Sequence, residues 1–383
     1  MTARPGDLRF IDYCCDGIRR LRPYEAGKPI AEIEREYGLS GVIKLASNEN
    51  PLGPSPQALA AMRAELDGVA LYPDGNAFAL KAALARKHGV TPDRITVGSG
   101  SDHLLELVAR AFLGPGRSAV TSRYAFAIYA IVTQGASAEL RVAAALPPAH
   151  PTQPYGHDLD AMLALIDATT RVVFIANPNN PTGTWLDSAA LERFMARVPP
   201  STLVLVDEAY VEYVADPAYP HCDGWLDRFP NLIVTRTFSK AYGLAGARVG
   251  YALAAAEVTD LINRVRLAFN PNSLGQSGAV AALDDAEHLR RTLEANRAGM
   301  HQLAEGFDRL RLPRIPSICN FHTVDVGRPG REVFQALLRE GVIVRPVDNY
   351  GLMDHLRISV GTEAQNSRLL AALAKVLGKA GVA

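Results

Sequence analysis

Thr237-Phe238-Ser239-Lys240-Ala241-Tyr242-Gly243-Leu244-Ala245-Gly246-Ala247-Arg248-Val249-Gly250 follows an apolar run, Leu232-Ile233-Val234, that reads as a strand. A hydroxyl, a lysine, several glycines and an arginine crowd into one short turn. A lysine at the end of a buried strand is costly, because an ammonium taken out of water needs a partner or must give up its proton. The cost falls if the amine is held as an imine. A Schiff base with pyridoxal 5'-phosphate asks for this setting, with an arginine and a hydroxyl nearby for the cofactor phosphate.

Outward from this turn the chain alternates between strands and helices. Arg94–Val97, Ser118–Thr121, Arg171–Ala176, Leu203–Val206, Leu232–Thr235 and Val249–Leu253 read as strands, with helical stretches between most of them. One helical face carries Leu104, Leu105, Val108, Ala111 and Phe112. The unbroken apolar run Leu203-Val204-Leu205-Val206 implies a sheet covered on both faces, hence a largely parallel α/β fold. Beyond residue 255 the pattern changes. One long helical region is expected to about Leu310, then strands near Asn320–Val326, Val342–Val344 and Leu356–Val360. Helices are expected at Glu332–Glu340 and Glu363–Leu377. This reads as a second, smaller α/β domain. The division expected is a segment 1–45 joined to the small domain, a large domain 46–285 and a small domain 286–383.

Composition narrows the function. The 383 residues are 48% hydrophobic and 21% charged, as in an ordinary globular protein. Forty basic and forty acidic residues cancel, so neither nucleic acid nor an anionic membrane surface is favoured as a partner. The four cysteines, Cys14, Cys15, Cys222 and Cys319, show no CxxC spacing and the histidines no HExxH spacing. No metal site or disulfide framework is signalled, and reduced thiols in the cytoplasm are expected. The N-terminus lacks the apolar core of a secretion signal, and no apolar run is long enough to span a membrane.

Several residues point to chemistry. Asp207 ends the Leu203–Val206 strand, where open α/β sheets bind ligands. A carboxylate there can pair with a pyridinium nitrogen or simply cap the next helix. Tyr210, three residues on, is within reach of a ring hydroxyl. Asn177-Pro178-Asn179-Asn180-Pro181-Thr182-Gly183 makes a rigid polar loop at the same sheet edge, and Asn180 could offer its amide to a phenolic oxygen. Gly98-Ser99-Gly100-Ser101-Asp102-His103 is either a phosphate-holding helix start or a plain turn; it is neither GxGxxG nor a Walker A loop. Phe126 and Tyr129 could stack on a flat ring or pack in the core. Arg357, alternating with apolar residues in a strand, needs an anion: a substrate carboxylate or phosphate, or an internal salt bridge. Arg345 is similar. His88, His103, His157 and His221 read as surface or structural.

Taken together, Ser47-Asn48-Glu49-Asn50-Pro51-Leu52-Gly53-Pro54, Asn179-Asn180-Pro181-Thr182-Gly183, Asp207-Glu208-Ala209-Tyr210, the Ser239-Lys240 to Arg248 segment and Leu356-Arg357-Ile358-Ser359-Val360-Gly361 resemble fold-type I aminotransferases that use pyridoxal phosphate. The closer resemblance is to histidinol-phosphate aminotransferases, over roughly residues 20–380. It implies a mostly parallel seven-stranded sheet in the large domain. Lys240 would form the Schiff base, Asp207 would hold the pyridine nitrogen, and Tyr210 and Asn180 the ring oxygen. Ser239, Arg248 and the Gly100-Ser101 turn, with Thr237, would hold the phosphate, and Phe126 would stack on the ring. Tyr72 matches a tyrosine that reaches the phosphate of a neighbouring subunit, which implies a homodimer with shared active sites. Arg357, with Tyr24, Asn320 and Arg345, would bind substrate.

Two positions depart from the family pattern. Tyr124 stands where a proline is common, and Ala247 where a larger apolar residue is common. The resemblance implies transfer of the amino group of L-histidinol phosphate to 2-oxoglutarate, a small-molecule amine donor and a 2-oxo acid acceptor. An aromatic amino acid could serve in place of histidinol phosphate. Phosphothreonine decarboxylases share the fold and several motifs, so a lyase stays open. A regulatory domain derived from the fold is opposed by the retained Lys240 and Asp207.

Overall fold

The structure, a computed structural model, describes residues 9–21, 23 and 27–379. Its centre is a seven-stranded sheet built from β1 (Ile95–Gly98), β2 (Ser118–Ser122), β3 (Glu139–Ala143), β4 (Thr170–Ala176), β5 (Leu203–Asp207), β6 (Leu232–Thr237) and β7 (Gly250–Ala254). The strand order is β1-β7-β6-β5-β4-β2-β3. All neighbours are parallel except β7, which runs antiparallel to both β1 and β6.

Alternate residues of the central strands point to two separate cores. Val173, Ile175, Val204 and Val206 pack on one face, and Val172, Phe174, Leu203 and Leu205 on the other. Each fully buried aliphatic side chain contributes about 1.5–3 kcal/mol, which explains the uninterrupted apolar runs. β3 departs from that rule. It is an edge strand with partly exposed residues along most of its length, and Glu139 and Arg141 pair on its surface.

A third core gathers Leu303, Phe307, Val324, Leu356, Leu369 and Leu373, with Ile33 and Leu45 from early in the chain. Its sheet is antiparallel, in the order Arg345–Pro346, His355–Ser359, Phe321–Asp325, Arg314–Ile315. Ile43–Lys44 pairs in parallel with Val342–Ile343 beside it.

The expected long helical region to Leu310 is instead three helices: Ala256–Asn263, Ser273–Asp284 and Ala286–Arg309. Pro271 lacks an N–H, and the Asn272 side chain caps the second helix by accepting from the Gly275 N–H. Asp285 caps the third by accepting from the His288 N–H. Two side chains therefore divide what apolar periodicity alone joins.

Candidate active site

Register brings several strand ends to one level. Ala176 lies opposite Asp207, Asp207 opposite Thr235, Thr237 opposite Gly250, and Gly250 opposite Gly98. These ends and the loops beyond them surround a cavity of about 280 Å³. Ser101, Phe126, Asn180, Asp207, Tyr210, Thr237, Ser239, Lys240, Arg248, Arg345 and Arg357 all line it.

Lys240 lies three residues beyond the end of β6 and is partly buried. Its Nζ donates to Ser47 O at 3.1 Å and lies 5.8 Å from the centre of the Tyr210 ring. Burial lowers its pKa to about 8, and the positive Arg357 acts in the same direction. Asp207 is buried at the end of β5. Tyr129 donates to its Oδ2 and Thr235 to its Oδ1, each at 3.0 Å. These bonds favour the carboxylate, yet burial prevails and raises its pKa to about 6. Among the described residues no cation lies within ion-pair distance of it.

Arg357 is buried in the antiparallel sheet, in register with Arg345. Its Nη1 donates to Asn180 Oδ1 and its Nη2 to Ala46 O, both at 2.6 Å, while its Nε has no partner. No carboxylate among the described residues pairs with it, so an internal salt bridge does not explain it. Because a guanidinium only donates, Asn180 must turn its oxygen to Arg357 and keep its NH2 for something else. The Tyr210 hydroxyl accepts from Asn48 Nδ2 at 2.8 Å, and burial raises its pKa, so it stays protonated.

At the other end of the cavity, helix Ser101–Phe112 starts at Gly100 with no side-chain cap. Arg248, at φ +55°, donates from Nη1 to Ser239 Oγ at 3.3 Å, and its Nη2 lies 3.8 Å from Asp102 Oδ2. A Cβ on Gly100 would come within 2.4 Å of Arg248 Nη2. The Thr237 hydroxyl accepts from the Ser239 N–H at 3.1 Å. A free helix start, a guanidinium and two hydroxyls are the donors that an anion such as a phosphate would need.

Phe126 forms cavity wall and meets Tyr129 edge-on, with ring centres 5.8 Å apart. Two expected residues stand apart. Tyr72 is 81% exposed, stacked on Phe269 at 4.4 Å, and does not line the cavity. Asn320 is buried behind the wall, its Nδ2 donating to Asn48 O at 3.0 Å. Tyr24 lies outside the described residues.

Sequence reasoning misses the support around these groups. It gives Asn48, Thr235 and Ser359 no role, and it takes Tyr129 only as an aromatic for stacking or packing. Beneath the sheet edge, Arg236 bonds Glu208 at 2.7 Å and Asp223 at 3.0 Å, and Asp223 bonds His88 at 2.8 Å. That buried chain braces Glu208, the residue after Asp207, and gives His88 a structural place. The available signal is weak: a charged pair, Asp207-Glu208, closing an apolar strand.

A family model for aminotransferase class I and II matches residues 40–373. The histidinol-phosphate aminotransferase 2 of Methylococcus capsulatus is 55% identical over 364 residues, covering 94% of this chain and 97% of that protein. The enzyme of the same name from Pseudomonas aeruginosa is 53% identical over 370 residues, covering 96% and 98%. A crystal structure of histidinol-phosphate aminotransferase from Sinorhizobium meliloti, in complex with pyridoxal 5'-phosphate, superposes with a TM-score of 0.86 at 30% identity. It covers 95% of this chain and 97% of that one. Aspartate aminotransferase from Thermus thermophilus shares the fold, with a TM-score of 0.80 at 23% identity. The architecture is therefore fold-type I. The chain belongs to the aminotransferase class I and II family.

Proposed function

We propose that this protein binds pyridoxal 5'-phosphate and transfers the amino group of L-histidinol phosphate to 2-oxoglutarate. The products are imidazole acetol phosphate and glutamate, as in histidine biosynthesis. One observation carries the reading: a single cavity holds three unfinished pairs. Among the described residues, Lys240 is an amine with a lowered pKa, Asp207 a buried carboxylate with no cation beside it, and Arg357 a buried cation with no carboxylate beside it. A carbonyl, a cationic ring nitrogen and a substrate anion would complete them in that order. The relatives' names supply the particular substrate.

The residues fit the cofactor. Gly100, Ser101, Thr237, Ser239 and Arg248 would hold its phosphate, and the absence of a Cβ at Gly100 keeps room for the Arg248 guanidinium. Asp207 would hold the ring nitrogen. Tyr210 and the Asn180 NH2 would donate to the ring oxygen, and Phe126 would cover a ring face. When bound, pyridoxal phosphate supplies a carbonyl that condenses with amines and a ring that takes up the electrons left at the amine-bearing carbon.

The protein's own part is proton transfer and orientation. Lys240, with a pKa near 8, is neutral in a usable fraction of molecules at neutral pH. It would take the proton from the amine-bearing carbon of the substrate and deliver it to the carbon that was the cofactor's carbonyl, as general base and then acid, so that the amino group stays with the cofactor. Arg357 and Arg345, both in the cavity wall, would bind and orient the substrate anion, and the family resemblance adds Tyr24 and Asn320 to that role. The same groups serve the 2-oxo acid in the second half of the cycle.

We also infer a homodimer. Tyr72, Leu71, Phe78, Leu267 and Phe269 are large apolar side chains left exposed. Covered by a second copy, Tyr72 would reach the neighbouring phosphate site. A cytoplasmic enzyme suits the biosynthetic reaction and four free thiols. Among the described residues no helix is long and apolar enough to cross a membrane.

The test is a comparison of kcat/KM for L-histidinol phosphate, L-phenylalanine and L-tyrosine, with 2-oxoglutarate as acceptor. Histidinol phosphate should lead by roughly 100-fold or more. A lead for phenylalanine would overturn the substrate. Release of CO2 without glutamate formation would overturn amino transfer.

A further inference from the structure

Asn48 joins two parts of the molecule that are remote in sequence. It is buried, at φ +56°, a conformation that asparagine tolerates better than most residues. Its backbone N–H donates to Ser359 Oγ at 2.8 Å, and Ser359 Oγ donates back to Asn48 Oδ1 at 2.8 Å. Asn48 Nδ2 then donates to the Tyr210 hydroxyl at 2.8 Å. Ser359 sits at the end of strand His355–Ser359, two residues beyond Arg357.

The directions of these bonds follow from donor counts. The Ser359 hydroxyl has one proton, and Asn48 Oδ1 is its acceptor in a buried site. Turning the Asn48 amide round would leave that proton without an acceptor, a loss of about 1–3 kcal/mol. The amide therefore presents its NH2 to Tyr210, and Tyr210 must accept. Its own proton is left to point elsewhere, and Tyr210 lines the cavity.

We propose that Asn48, locked by Ser359, is a positioning residue that makes the Tyr210 hydroxyl a donor into the cavity. The inference rests on the reading above, in which the ring oxygen of pyridoxal phosphate lies beside Tyr210. A donor that shares this oxygen's negative charge weakens its hold on the proton of the adjacent Schiff-base nitrogen. The bound chromophore then loses its proton at a lower pH. A residue that merely tied two sheets together would have no such effect through Tyr210.

The test is a spectrophotometric pH titration of the full-length, cofactor-loaded protein. The variants are Asn48→Asp, Tyr210→Phe and the double variant. The introduced carboxylate can only accept, so it draws the Tyr210 proton away from the cavity. The titration midpoint should rise more for Asn48→Asp in the wild-type background than in the Tyr210→Phe background, by roughly half to one pH unit. That difference cancels the effect of the added charge, which acts in both backgrounds. If Asn48→Asp does not fold, Ser359→Ala replaces it. It frees the amide to turn and should raise the midpoint, with no further rise in Tyr210→Phe. Equal shifts in the two backgrounds would overturn the positioning role. Absence of any visible chromophore in the wild-type protein would overturn the cofactor reading, and this inference with it.

Discussion

Replacing Arg357 with methionine separates binding from folding. This guanidinium is buried and bonded to Asn180 Oδ1 and Ala46 O, and no carboxylate among the described residues pairs with it. Methionine fills similar space. It leaves two acceptors without a donor, at about 1–3 kcal/mol each. It also removes a cation whose burial costs several kcal/mol. The two changes oppose each other, so stability should move by no more than about 2 kcal/mol in either direction. Substrate binding has no such compensation. Losing a desolvated charge partner costs about 2–5 kcal/mol, or about 30-fold or more in affinity. The assay is steady-state amino transfer from L-histidinol phosphate, with a urea melt of the same protein. A rise in KM of less than about twofold, with a loss of stability above about 3 kcal/mol, would make Arg357 a structural ion and refute the reasoning.

Asp207→Asn should lower kcat by roughly 100-fold or more, because an amide cannot match a cationic ring nitrogen; single-turnover rates check this. The same variant carries a pH signature in the cofactor-free protein. Burial raises the Asp207 pKa from 3.8 to about 6, so its stabilising contribution is present below pH 4 and lost as pH rises through 6. Cofactor-free Asp207→Asn should therefore be more stable than wild type at pH 7, by up to roughly 3 kcal/mol, and equal to it near pH 4. Urea melts at the two pH values test it. Gly100→Ala must place a Cβ 2.4 Å from Arg248 Nη2 at a backbone φ of +84°. Equilibrium dialysis should show pyridoxal phosphate bound roughly tenfold or more weakly.

Much of this arrangement is legible in the chain because local chemistry announces it. Leu203–Val206 is apolar at every position, so a carboxylate directly after it must sit at the sheet edge. The Lys240 turn follows β6 in the same way. β3 escapes such a reading because an edge strand needs no apolar run, and Glu139 and Arg141 interrupt its pattern. The three helices after residue 255 run together in the sequence because apolar periodicity does not register Asn272 and Asp285 as caps. Asn48 and Ser359 lie 311 residues apart, and only the folded chain brings them together. Tyr129 carries two roles, packing through its ring and bonding Asp207 through its hydroxyl, and the apolar role hides the polar one.

The most direct test of the account is to identify the residue that carries the cofactor. Cofactor-loaded protein is reduced with borohydride, digested and mapped by mass spectrometry. A single pyridoxyl adduct should fall on Lys240, and the Lys240→Ala protein treated in parallel should carry none. An adduct on another lysine, or an unlabelled Lys240 in protein that has bound the cofactor, would contradict the account.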